Sequence, residues 1–161
     1  KPLPQGDIGG IQIRGANVFA GYWRMPEKTR EEFTADGFFR TGDVGTIDVD
    51  GYVSIVGRAK DLIICGGYNV YPKEIELALD AMPGVAESAV IGVPHADFGE
   101  AVAAVVVARK DARLDADAIV AELKKNFANY KVPKRLYVVD DLPRNAMGKV
   151  QKALLRDRYG K

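Results

Sequence analysis

The sequence predicts an α+β fold in two parts, a β-rich segment over residues 1–58 and a mixed α/β unit over residues 59–161. Two patterns carry this reading. From Gly10 to Arg58, glycines punctuate short runs in which apolar and polar residues alternate, the period of antiparallel strands with one face in water. From Arg58 onward, apolar runs with strand character alternate with stretches whose apolar residues recur at helical spacing.

In chain order, Ile11-Gln12-Ile13-Arg14 and Tyr52-Val53-Ser54-Ile55-Val56 are alternating strand runs. Asp50-Gly51 marks a hairpin turn between such runs, because both residues tolerate positive φ. Pro26 to Phe33 carries helix-forming Glu and Lys and predicts a short surface helix. Leu62 to Cys65 is an apolar strand ended by Gly66-Gly67, and Pro72 then opens a helix, where its missing N–H costs nothing. Ile75, Ala78, Leu79 and Met82 fall at i, i+3, i+4 and i+7, which gives that helix one apolar face. Ser88 to Val93 and Ala101 to Ala108 are continuous apolar runs, expected of strands covered on both faces. Asp115 or Asp117 caps a helix bearing Ile119, Leu123 and Phe127. Arg135 to Val139 is a further strand and Gln151 to Tyr159 a closing helix.

Composition narrows the function classes. With 23 basic and 22 acidic residues the net charge is +1, so there is no electrostatic reason to expect a nucleic acid or an anionic membrane as partner. The single Cys65 excludes an internal disulfide and suits a reducing compartment. One Cys and one His leave no cluster from which to build a zinc site. No apolar run approaches the roughly 20 residues that cross a bilayer, and the first residues lack the order of a signal peptide. The expectation is a cytoplasmic protein without a metal site of its own.

Several residues have two readings on type and position alone. Asp43, after Thr41-Gly42, is either a carboxylate that accepts two hydrogen bonds from adjacent hydroxyls or the side chain of an Asx-turn. Arg58 is a permanent cation suited to a phosphate or ribose, or simply solvated. Gly66 and Gly67 either let backbone approach a narrow ligand or make a plain turn. Lys149, on a glycine-flanked loop between Pro143 and the last helix, reads as a solvated side chain. His95 lies in the loop Pro94 to Glu100 with no Ser or Cys nucleophile pattern nearby, and reads as a surface residue.

Three segments change these priors. Phe39-Arg40-Thr41-Gly42-Asp43, the stretch Gly57 to Glu76, and Pro143-Arg144-Asn145-Ala146-Met147-Gly148-Lys149 resemble signature segments of the adenylate-forming acyl-CoA synthetase superfamily, and the likeness covers nearly the whole chain. The wording of Gly66 to Glu76 and of Arg14 to Trp23 is most similar to that of the malonyl-CoA synthetases. The resemblance implies that residues 1–58 are the β-rich end of the family's large N-terminal domain and residues 59–161 its small, mobile C-terminal domain. Leu3 to Gly10 resembles the middle of a synthetase, so the expected whole is longer. Its phosphate loop, the Thr-Glu segment that helps hold Mg2+ and the acid pocket would lie outside this chain, on a missing N-terminal domain that is the first expected partner.

The implied activity is that of an ATP-dependent acid–CoA ligase, forming an acyl-adenylate and then an acyl-CoA, with malonate the expected acid and coenzyme A the co-substrate. The chain alone is expected to be inactive. Residue by residue, the resemblance implies Lys149 as the catalytic adenylation lysine, Asp43 as the ATP ribose acceptor and Arg58 as a second ATP contact. It implies Gly66 and Gly67 as the lining of the coenzyme A tunnel and Lys60 as the hinge about which the small domain reorients. Asn69 departs from relatives that carry an arginine there and is assigned no ATP contact. Lys124, Lys125, Lys131, Lys134 and Arg135 are either a coenzyme phosphate contact or a solubility feature. Other branches stay open, namely another short-chain or aryl acid synthetase or a carrier-protein adenylation domain. So does a reading of the piece as a substrate for a protein lysine acetyltransferase and deacetylase acting at Lys149.

Overall fold

The computed structural model describes residues 1–160 and divides into two compact units, residues 1–60 and the described residues from Asp61 onward. In the first unit, β1 (Gly9–Ile13), α1 (Pro26–Glu32), β2 (Phe39–Ile47) and β3 (Val53–Arg58) follow one another. The strands form an antiparallel sheet in the order β1-β2-β3. The β2–β3 turn is organised by a residue the sequence reading did not single out. Asp48 Oδ1 accepts the N–H groups of Asp50 at 3.0 Å and Tyr52 at 2.9 Å, and Gly51 takes φ +85°. At Gly45 a Cβ would lie 2.4 Å from the Ser54 carbonyl oxygen, so only glycine admits the close approach of β3 where the ladder slips register. Phe19 packs edge-on against Tyr22, Phe33 and Phe39. Among the described residues no apolar side chain of this unit is fully buried, and Ile55 is 66% exposed.

A 3-10 turn, Ala59–Asp61, leads into the second unit. There β4 (Ile63–Cys65), β5 (Tyr68–Val70), α2 (Pro72–Asp80), β6 (Val85–His95), β7 (Gly99–Ala108), α3 (Ala116–Asn126), β8 (Arg135–Val139) and α4 (Lys152–Tyr159) build one mixed sheet with helices. Its order is β5-β4-β7-β6, with β8 running parallel to β7 over Ala103 to Val107. The fold is a small mixed α/β domain of the kind expected. Asp115, rather than Asp117, caps α3, its Oδ1 accepting the N–H groups of Asp117 and Ala118.

The long β6–β7 hairpin explains the continuous apolar runs. Val90, Val102, Ala104 and Val106 pack with Ile75 and Leu79 of α2 and Ile119 and Leu123 of α3. The alternate positions Ala89, Ile91, Val93, Ala101, Ala103 and Val105 pack with Leu142 and with Leu155 of α4. Both faces are thus covered even though the pair is antiparallel. Each fully buried Ile, Leu or Val contributes about 1.5–3 kcal/mol of burial, so this double core anchors the loops that leave the sheet.

Candidate functional site

Asp43 and Arg58, singled out separately by sequence, are brought face to face. They are register partners in the β2–β3 ladder. Arg58 Nε lies 3.0 Å from Asp43 Oδ1, and Arg58 Nη1 donates to the Thr41 carbonyl oxygen at 2.7 Å. Thr41 Oγ1 in turn accepts the Asp43 N–H at 3.1 Å and donates to the Ile11 carbonyl oxygen at 2.9 Å. Gly42, at φ +74°, leaves room for the guanidinium, since a Cβ there would come within 3.2 Å of Nη1. Asp43 lies within β2, where the ladder fixes its direction. The arrangement is a carboxylate held by its own cation at a stated register. That suits recognition of a diol or phosphate, because both charged groups are already oriented.

Gly66 and Gly67 are the two central residues of the β4–β5 hairpin, not a link from strand to helix. Their φ values of +57° and +83° are those of a tight two-residue turn that other residues enter at a cost. The Gly66 N–H donates to the Phe98 carbonyl oxygen at 2.9 Å, which ties the turn to the β6–β7 loop. A Cβ at Gly67 would meet nothing within 4 Å, so the turn offers bare backbone to its surroundings. Cys65 is buried beneath it.

Lys149 stands exposed at the end of a short loop that an isolated Arg144–Val150 bridge closes, just before α4. The Asn145 side chain and backbone make most of that loop's hydrogen bonds. Arg144 pairs with Glu87 of β6, and its Nη1 donates to the Gly148 carbonyl oxygen at 2.7 Å. Just beyond, Lys152 Nζ lies 2.5 Å from Oε1 of Glu76, which is buried on α2 and also accepts the Val90 N–H at 2.9 Å. Neither Asn145 nor the Glu76–Lys152 pair was flagged from sequence. A glutamate beside Ile75 on the buried side of a helix, with a lysine at the start of the last one, was the available signal.

The remaining candidates take ordinary places. Lys60 is exposed in the 3-10 turn. His95 Nδ1 accepts the Asp97 N–H at 3.2 Å and its ring lies on Phe98, a loop-shaping role. In the basic group, Lys131 pairs with Glu74 at 2.8 Å and Lys125 with Glu122 at 2.6 Å, which lowers its net field. Among the described residues no three His, Cys, Asp or Glu side chains gather to hold a metal ion. Among them also no helix is long and apolar enough to cross a membrane.

Residues 74–149 match the AMP-binding enzyme C-terminal domain family. An octahydro-indenyl-propanoyl:CoA ligase of Rhodococcus jostii is 53% identical over 94% of this chain, and the sulfoacetate–CoA ligase of Cupriavidus necator is 48% identical over 96%. The chain spans about 30% of the length of each of these relatives. Among solved structures, ATP-bound MatB from Rhodopseudomonas palustris superposes with a TM-score of 0.92 at 63% identity, covering 99% of this chain and 32% of that one.

Proposed function

We propose that the chain, whose residues 74–149 match the AMP-binding enzyme C-terminal domain family, serves as the C-terminal portion of an ATP-dependent acid–CoA ligase. The observation that carries the reading is that this match ends on Lys149, the exposed cation of a hydrogen-bonded loop. The acid's carboxylate oxygen attacks the α-phosphorus of ATP and pyrophosphate leaves, giving an acyl-adenylate. The coenzyme A thiol then attacks the acyl carbon, loses its proton, and AMP leaves with the acyl–oxygen electron pair. Lys149 serves the first step by placing positive charge against the charge that builds at phosphorus. Asp43 and Arg58 hold the nucleotide, and the backbone at Gly66 and Gly67 accompanies the pantetheine arm. Lys60, in the joining turn, absorbs the torsional change between the two steps.

Malonate is the acid we assign. Its support is the wording of Gly66 to Glu76 and of Arg14 to Trp23. A relative 53% identical over this segment is a ligase of a far bulkier acid, and we infer that acid choice is made by residues elsewhere, while this segment carries the chemistry common to all. The test is acid-dependent ATP–pyrophosphate exchange and thioester formation by the full-length enzyme, with malonate, sulfoacetate, acetate and benzoate offered in turn. Malonate is expected to support both. Exchange with another acid alone would replace malonate, and exchange with none would overturn the ligase assignment.

A second expectation concerns the turn. Gly67→Leu places a side chain on the bare backbone face and is expected to slow thioester formation from supplied acyl-adenylate on the order of tenfold. Pyrophosphate exchange should stay near the parent rate. Loss of exchange with retained thioester formation would remove the turn from the coenzyme A path.

A further inference from the structure

We infer that Asn145 is the positioning residue for Lys149, an inference that rests on the adenylation role proposed above. The loop around Lys149 has little apolar anchorage, since Ala146, Met147, Gly148 and Lys149 are all exposed. What gives it one shape is Asn145, half-buried at its base. The Lys149 N–H donates to Asn145 Oδ1 at 2.9 Å, and the Asn145 N–H donates to the Lys149 carbonyl oxygen at 2.9 Å. Both main-chain groups of the lysine are therefore fixed by one residue. The same Oδ1 accepts the Met147 N–H at 3.0 Å, and the Asn145 carbonyl oxygen accepts the Gly148 N–H at 2.9 Å. Gly148 takes φ +76°, the conformation that turns the chain back toward Asn145.

Arg144 extends the frame to the sheet, because its guanidinium joins the Gly148 carbonyl oxygen to Glu87 on β6. Asn145 thus sets the direction in which the Lys149 side chain leaves the loop, and the doubly covered sheet sets the position of Asn145. A long, flexible cation acts electrostatically only if its starting point is held, since misplacement by about 1 Å can cost on the order of 100-fold.

The test measures the two half-reactions separately in the full-length enzyme carrying Asn145→Ala, Asn145→Asp and, in parallel, Lys149→Ala. Asn145→Ala is expected to lower acid-dependent pyrophosphate exchange on the order of 10-fold to 100-fold. Thioester formation from supplied acyl-adenylate should hold, which also shows that the domain is folded. Asn145→Asp keeps the accepting oxygen and should recover most of the exchange rate. The inference is overturned by an Asn145→Ala enzyme that exchanges at the parent rate, by equal loss in both half-reactions, or by an Asp variant no better than Ala. If Lys149→Ala itself exchanges normally, the adenylation reading fails first, and the two failures are told apart.

Discussion

Lys149→Ala in the full-length enzyme is expected to slow acyl-adenylate formation on the order of 100-fold to 1,000-fold, equivalent to roughly 3 to 4 kcal/mol of lost transition-state stabilisation. Thioester formation from supplied acyl-adenylate should be retained. The division follows from the role proposed for the side chain. Two anions, a carboxylate and a triphosphate, must approach, and negative charge concentrates on the oxygens around the α-phosphorus as they react. A preoriented ammonium stabilises that arrangement more than it stabilises the separated reactants. In the second half-reaction a thiol attacks an acyl carbon, and the proposed contact for that step is the Gly66-Gly67 turn on a different loop. Acetylation of Lys149 should reproduce the alanine phenotype, because it removes the same charge while leaving the turn untouched. We propose a protein lysine acetyltransferase and deacetylase as the partners that would exploit this. Stopped-flow release of pyrophosphate, and acyl-CoA formation from synthetic acyl-adenylate, separate the two steps. Equal loss in both would end the assignment of one loop to each reaction.

How much of this was legible beforehand depended on whether a feature is encoded locally. The α2 start at Pro72, the α3 cap to within Asp115 or Asp117, and the β6–β7 runs are readable because each is a local pattern with a local physical cause. The β4–β5 hairpin is not, since strands of three residues carry no measurable period, and its two glycines read only as the end of a strand ahead of the helix at Pro72. Asp43 and Arg58 were each visible as charged residues next to glycines. That they form one ion pair required the β2–β3 register, which a bulge between Val44 and Gly45 shifts. Asn145 is not legible in the sequence because its partners are main-chain groups. A side chain that bonds to backbone leaves no complementary side chain in the sequence to betray it.

Lys152→Met is expected to destabilise the 161-residue chain by about 3 kcal/mol, read as a lower urea midpoint with an unchanged slope. The lysine's side chain is 18% exposed and that of its partner Glu76 is 9% exposed, so neither charge is well hydrated in the fold. Glu76 Oε1 receives Lys152 Nζ at 2.5 Å and the Val90 N–H at 2.9 Å, which joins α4, α2 and β6 at one oxygen. Removing the lysine leaves a carboxylate in apolar surroundings with one backbone donor, and an uncompensated buried charge costs far more than the intact pair contributes. The double replacement Glu76→Gln with Lys152→Met tests that asymmetry. It removes both charges, keeps an oxygen able to accept the Val90 N–H, and should recover a large part of the loss. A single-variant cost below about 1 kcal/mol would mean that the pair behaves like an exposed salt bridge. The pair also anchors the first turn of α4 directly after the Lys149 loop. In the full-length enzyme the Lys152 variant should therefore lose pyrophosphate exchange before it loses thioester formation, as the frame around Asn145 loosens ahead of the sheet.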